Sequence, residues 1–315
     1  MLTMDRELAL LVGGAATALT LATGVGLVLD RTVMSPGRRA VVINMNARIR
    51  GWWVMCLTFL VSLLTGGVGC ILLFALVSVL ALREFVTLAP TLRADHRSLA
   101  WAFWGFIPLQ YWLVAAGRLD LFTVAIPVGA FILLAFRGAA AGDPARFLER
   151  TADIHWGLMV CVYAVSHVPA LLTLDIPVDQ GARVKLLVFL IAVVQWSDIL
   201  QYLWGKWLGR TPIAPTISPN KTWEGFIGGA ASATLLGASV WWLTPFSPWE
   251  AAVLSLLLTL LGFAGGLVMS AIKRDRGVKD YGALIAGHGG ILDRIDSICF
   301  AAPVFFHLTR YLVSR

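Results

Sequence analysis

Apolar residues run through this chain in long blocks separated by short polar stretches, and the pattern predicts ten helices. They fall near residues 7–29, 51–65, 68–82, 99–115, 119–136, 153–173, 184–205, 223–243, 249–271 and 291–312. A membrane crossing takes roughly 20 apolar residues for a ~30 Å hydrocarbon core. As a single helix, the stretch 51–82 would be about 48 Å long at ~1.5 Å per residue, too long for one pass. Gly66, Gly67 and Gly69 interrupt it, so it reads as a hairpin of two short spans. Asp5 and Glu7 spoil the basic start of a signal peptide, and no small-x-small cleavage site follows the first block. That block is therefore read as a retained helix.

Composition supports the same picture. The 315 residues are 58% hydrophobic and only 14% charged, with mean hydropathy +0.80, whereas soluble domains carry roughly 25% charge. A soluble globular protein, a disordered chain and a disulfide-stapled secreted scaffold are excluded. Cys56, Cys70, Cys161 and Cys299 lie in apolar stretches without C-x-x-C spacing and read as small core residues.

The charges then orient the chain. With ten passes, 18 of the 25 Lys and Arg residues fall in the loops 30–50, 83–98, 137–152, 206–222 and 272–290. The positive-inside rule makes those loops cytoplasmic and puts both termini outside. Reading 51–82 as one pass would weaken this bias, which favours the hairpin. Trp52, Trp53, Trp101, Trp156, Trp204, Trp207, Trp223 and Trp249 sit near predicted helix ends, as an interfacial aromatic belt does. The net charge of +7 is thus a matter of topology and does not point to nucleic acid. The expected fold is an all-α polytopic membrane protein with a cytoplasm-facing polar cavity. Its parts are a helix and basic loop over 1–50, further membrane helices over 51–182, and a membrane domain over 183–315 that carries the chemistry.

Two loops break the apolar background. The first runs from Asp198 through Tyr202, Gly205 and Gly209 to Pro215-Thr-Ile-Ser218-Pro219-Asn220-Lys221-Thr222-Trp223-Glu224-Gly225. An ionisable group inside a span is costly and faces a cavity or a partner. Asp198 is either such a group or a buried acid satisfied by Gln201, Tyr202 or a basic neighbour. Backbone amides at the following helix start, with Lys221, suit a phosphate, although a plain capped turn would look the same.

The second loop is more specific, running from Ser270 through Lys273, Arg274, Lys279 and Asp280 to Gly287-His288-Gly289-Gly290-Ile-Leu-Asp293-Arg294-Ile-Asp296. Asp293 and Asp296 are three apart and share one helix face, where a divalent metal would relieve their repulsion. Mg²⁺ takes one or two carboxylates and completes its shell with water and phosphate oxygens. The glycines around His288 leave amides to cradle an anion at the positive end of that helix. Lys273, Arg274, Lys279 and Arg294 supply cations for phosphate. A basic loop with an Asp/Arg packing cluster accounts for the cations but not for the glycines and paired acids. Only two helices separate the two loops, so both open on the same face. Acidic metal ligands, a basic rim and a surrounding bilayer imply phosphoryl or nucleotidyl transfer to a lipid phosphate.

Ser270 to Asp296 resembles the signature of the phosphatidate cytidylyltransferases, or CDP-diacylglycerol synthases, S-x-x-K-R-x4-K-D-x-G/S…G-H-G-G-x-x-D-R-x-D. The Asp198–Gly225 stretch resembles the block that precedes it in that family, and Leu82-Arg83-Glu84-Phe85 a weaker W-E-F-like element, so the likeness covers residues from about 50 to the end. The first helix looks like an addition. Two positions depart from the pattern: Gly266 stands where the family commonly has an acidic residue that helps bind metal, and Ala286 where Pro is common.

The resemblance implies transfer of CMP from CTP to phosphatidate, releasing pyrophosphate. It assigns Asp293, Asp296 and Asp198 to Mg²⁺, leaving room for a second cation such as K⁺. Lys273, Arg274, Lys279, His288 and Arg294 would neutralise phosphate charge. Ser218, Asn220, Lys221, Glu224, Ser270, Asp280, Gly289 and Gly290 would hold substrate, with Glu224 fixing Lys221. A bacterial inner-membrane location follows, with membrane lipids as surroundings and a homodimer left open. The rivals are nucleotidyl transfer to another lipid or polyprenyl phosphate, a non-catalytic homologue, and a transporter, which would place its charges near the midplane of two repeats.

Overall fold

A computed structural model describes residues 6–33, 35–175, 180–285, 287 and 289–313. Among them are ten helical segments: α1 (Arg6–Thr32), α2 (Pro36–Leu64), α3 (Gly67–Leu88), α4 (96–115), α5 (Leu119–Ala139), α6 (Phe147–Thr173), α7 (Gln180–Leu208), α8 (Trp223–Ser239), α9 (Pro248–Asp275) and α10 (Leu292–Val313). Seven of the ten, namely α1, α2, α3, α5, α6, α7 and α9, are long and apolar enough to cross a membrane. The chain is an all-α polytopic membrane protein. Wide π turns at 102–106, 125–130 and 159–164 interrupt the regular winding of α4, α5 and α6. Those in α4 and α5 lie at or beside Pro108 and Pro127, which cannot donate a backbone N–H.

The expected hairpin at 51–82 forms, with the break at Gly66, whose φ of +86° favours glycine. Two local expectations fail. The basic stretch 36–50 is helix, not loop. Pro36 supplies the fixed φ of a first helical position after the extended Ser35. The stretch also packs on α1, where Asn46 Nδ2 donates to the Gly26 carbonyl at 3.3 Å. At 29 residues α2 is about 43 Å long, so its basic half extends beyond the hydrocarbon core. The loop after α7 is not purely irregular either. Pro212–Ala214 (β1) pairs antiparallel with Ser218–Thr222 (β2) before Thr222 caps α8 by accepting from the Gly225 amide.

Helices α7, α8, α9 and α10 pack as successive neighbours, while α3 lies against α6 and also touches α10. The continuous core runs from Phe74 and Phe85 on α3 through Leu158 and Val162 on α6 to Phe305 and Phe306 on α10. The α9–α10 contact is close because Gly262 and Gly266 are four apart and admit Ser297. A buried ion pair, Arg150 to Asp95 at 3.1 Å, holds the turn before α4 against α6. Arg150 is spent there on structure.

Candidate active site

The last turns of α9 carry Ser270 and Lys273, and a loop then doubles back to start α10 with Asp293, Arg294 and Asp296. Asp293 organises that loop. One of its oxygens accepts from Lys273 Nζ at 2.8 Å, and the other accepts from the amides of Tyr281 at 2.8 Å and Gly290 at 2.9 Å. Lys273 lies over the Tyr281 ring, and the Tyr281 hydroxyl donates to the Met269 carbonyl at 3.0 Å. Buried charges need this density of partners, because a carboxylate or ammonium left unpaired away from water is expensive.

The amides of the glycine loop before α10 were expected to be free for an anion. That of Gly290, and those of the next two residues, are taken by the protein itself. Glu84 of α3 accepts from the amides of Ile291 at 3.0 Å and Leu292 at 2.9 Å, and Asp293 takes that of Gly290. Sequence reasoning noticed Glu84 in its motif without a role. A carboxylate capping a helix start lies at the favourable end of the dipole, but the partner helix is far away in sequence and could not be read from spacing.

Beside this hub lie two adjoining cavities. The larger, about 770 Å³, is walled by Asp198 and Tyr202 of α7, Lys279 and Asp280 of the loop, Arg294 and Asp296 of α10, and Asn44, Arg48 and Trp52 of α2. The smaller, about 290 Å³, shares Asp198, Tyr202, Asp293, Arg294 and Asp296, and adds Asn220, Lys221 and Ser270. Arg294 Nε is buried and has no hydrogen-bond partner among the described residues. Burial depresses the Lys221 ammonium pKa, and the nearby Asp198 and Asp296 partly restore it. Its Nζ sits 4.6 Å from the centre of the Phe263 ring, and a Cβ at position 266 would lie only 2.9 Å away. The glycine where an acid was expected therefore gives room to a lysine. Among the described residues no three His, Cys, Asp or Glu side chains converge as a metal cluster.

With this geometry established, likeness to known proteins decides the family. A model of the cytidylyltransferase family matches residues 46–312. The chain belongs to the cytidylyltransferase family. It is 42% identical over 271 residues to the uncharacterized protein YnbB of Escherichia coli strain K12, covering 85% of this chain and 88% of that one. It is 42% identical over 171 residues to the phosphatidate cytidylyltransferase of Mycobacterium leprae, covering 53% of each. To that of a Synechocystis strain it is 44% identical over 135 residues, covering 42% of this chain and 45% of the other. The chain thus matches about half the length of the relatives that carry the enzyme's name.

Within this member of the family, the sequence-predicted residues divide. Asp198, Asn220, Lys221, Ser270, Lys279, Asp280, Gly289, Asp293, Arg294 and Asp296 line the two cavities. Ser270 donates to the Gly266 carbonyl at 2.7 Å, so its hydroxyl is tied back to its own helix. Arg274 lines neither cavity: its guanidinium donates to the carbonyls of Ile217 at 3.2 Å and Val278 at 2.9 Å, tying the hairpin to the loop. Glu224 does not fix Lys221. It accepts from the amides of Arg210 at 3.1 Å and Thr211 at 3.2 Å and from the Thr211 hydroxyl at 2.8 Å, which pull its carboxyl down to about 2. Ser218 begins β2 outside the cavities, Lys273 and Gly290 act through Asp293, and His288 and Ala286 lie outside the described residues. The residues missed by sequence reasoning are Asn44, Arg48 and Glu84. Arg48 was counted only for topology.

Proposed function

We propose that this chain transfers CMP from CTP to phosphatidate, giving CDP-diacylglycerol and pyrophosphate, at the cytoplasmic face of a bacterial inner membrane. The observation that carries the reading is a pair of adjoining cavities among membrane helices that share Asp198, Arg294 and Asp296, with Lys279 lining the larger and Lys221 the smaller. Family membership supports the reaction class, and the names of the shorter-matching relatives support the acceptor. Arg48 and Lys279, from two of the segments that hold most of the basic residues, line the larger cavity, which supports the orientation.

The donor set fits Mg²⁺. Asp198 and Asp296 would hold it, since Asp293 already accepts three hydrogen bonds, and two carboxylates with phosphate oxygens and waters complete its shell. Bound there, the metal would supply charge neutralisation at the triphosphate. Lys221 carries, beside the same two carboxylates, the charge for which a second cation such as K⁺ would otherwise be needed.

The chain's own residues then do three things. Arg294, Lys279 and Arg48 neutralise the phosphates of the nucleotide and the lipid. Asp293, held by Lys273, fixes the loop that carries Lys279. Together they bring a lipid phosphate oxygen into line with the α-phosphorus, so that the new P–O bond forms as the bond to pyrophosphate breaks. A phosphomonoester is already anionic, so no strong base is required, and positioning with charge neutralisation accounts for the catalysis.

The test is lipid-extractable label from radiolabelled CTP, with Mg²⁺, phosphatidate and the purified protein in detergent. Asp296→Asn and Asp198→Asn are expected to lower the rate by roughly a hundredfold or more. Absence of label with every lipid phosphate offered, from folded protein, would overturn the reading. Label with another lipid phosphate but not phosphatidate would keep the reaction and replace the acceptor.

A further inference from the structure

A third cavity, of about 230 Å³, lies away from the charged residues between α1, α2 and α7. Its walls are hydrocarbon: Leu11 and Ala15 of α1, Cys56 and Leu60 of α2, and Val188 and Ala192 of α7. Such a space takes an apolar guest and not water. Its position is informative because two of its walls continue into the polar cavity. On α2 the residues Asn44, Arg48 and Trp52 face the polar cavity, and one turn further the same slowly winding stripe becomes Cys56, Leu60 and Leu63. On α7 the stripe runs the other way, from Tyr202, Ile199 and Gln195 in the polar cavity to Ala192 and Val188 in the apolar one. The two cavities share no lining residue, but they follow one another along the same stripes of α2 and α7, so that together they trace a groove with a charged mouth and an apolar interior.

The groove has a third wall, and that wall is anchored. Trp53 Nε1 of α2 donates to Thr23 Oγ1 of α1 at 3.1 Å, and Lys185 of α7 pairs with Glu7 at the start of α1 at 2.5 Å. Two polar links on opposite flanks hold α1 across the crevice, so the space is shaped by protein on three sides. From Arg48 to Leu63 the groove follows α2 for about 22 Å, more than the ~15 Å half-thickness of a hydrocarbon core.

We propose that this groove is the acyl-chain site of the lipid acceptor: one chain lies between α1, α2 and α7, while Arg48, with Lys279 opposite, receives the phosphate at the mouth. This rests on a lipid phosphate being the acceptor. The place of the apolar cavity next to the polar one along α2 and α7, with Arg48 and Lys279 lining the latter, points to a lipid whose phosphate enters the reacting cavity rather than to a second protein copy, which needs no charged end. The first helix then has a function, as the wall that selects a lipid chain.

Two measurements test it. Ala192→Trp and Ala15→Trp fill the groove from opposite walls, and Leu121→Trp on a bilayer-facing part of α5 is the control. In the groove variants the ratio of kcat/KM for dipalmitoyl over dioctanoyl phosphatidate is expected to fall roughly tenfold or more, the effect of denying burial to about two methylene groups. The ratio should be unchanged in the control. A ratio unchanged in all three variants, or a fall equal to that of the control, would overturn the site.

The second measurement does not depend on turnover. Wild-type protein in vesicles is irradiated with phosphatidate carrying a diazirine at the end of one acyl chain. Label concentrated on peptides containing Cys56 and Ala192 supports the groove, even from a protein that transfers no CMP, in which case the reaction alone is refuted. Label spread evenly over the bilayer-facing surface, or confined to α4 and α5, refutes the groove and leaves the reaction standing.

Discussion

Glu84 caps a helix more than two hundred positions away in the chain, and its two oxygens each hold one backbone amide. Glu84→Ala should cost about 0.5–2 kcal/mol, the usual effect of losing a helix cap, and shift Asp293 with the helix start. Thermal unfolding in detergent and kcat measured together check this, with Glu84→Gln expected to retain part of both. At position 266 an added carboxylate would meet Lys221 and draw it from Asp198 and Asp296. Gly266→Asp is therefore expected to lower kcat/KM for CTP about tenfold, as loss of one charge-assisted contact does; a gain in rate would show Lys221 to be dispensable. Arg274 gives the sharpest contrast between motif and geometry. If it only neutralised phosphate, Arg274→Lys would preserve activity. Because its guanidinium spans two carbonyls, a feature one ammonium cannot copy, Arg274→Lys and Arg274→Ala should be similarly impaired. Asp293, Asp296 and Asp198 were legible in the sequence because acids are rare in apolar blocks. Their division of labour was not, because it depends on which amides and cations the fold delivers to each.

Helix α2 is the element whose reading changed most. Its arginines suggested a solvated loop, yet Pro36 starts a helix there and one turn after another presents Asn44, Arg48 and Trp52 to the polar cavity. Gly287 of the motif loop lies against Ala47 and Arg48, so this half of the helix is fixed to the site. Arg48→Ala should raise the KM for a phosphate substrate roughly tenfold or more with little loss of thermal stability, measured by initial rates and unfolding. The β1–β2 hairpin was read as a turn because five polar or helix-breaking residues hide its pairing. It is held to α8 by Glu224, whose carboxyl falls from an ordinary 4.5 to about 2 in the fold. A depressed acid stabilises fully above its unfolded value and ceases to do so as pH falls through the folded one. Hydrogen exchange of the Arg210 and Thr211 amides should thus become less protected as pH drops from ~4.5 to ~2. The same drop should change little in Glu224→Gln, where no acid titrates.

At the scale of the molecule, apolar blocks located the helices, and the basic residues supplied a direction. A reporter inserted in the 140–145 turn is expected on the cytoplasmic side, and one inserted at 116–118 on the opposite side; the reverse result would invert the topology. Helix partners were less legible, because lipid-facing and protein-facing surfaces are equally apolar and carry no two-sided pattern. The close approach at Gly262 and Gly266 was not read from the sequence, where Gly266 stood out only as a missing acid, and the α3–α10 contact left no trace there either. That contact joins segments translated at different times. When α3 enters the bilayer during synthesis, the amides that Glu84 will cap belong to a helix not yet translated. Until α10 arrives, Glu84 lacks the two amide partners it holds in the folded chain, and only that helix supplies them. A chain that stops short of α10 therefore lacks both this cap and the helix that carries Asp293 and Asp296, so that the cap and the candidate site form in the same step.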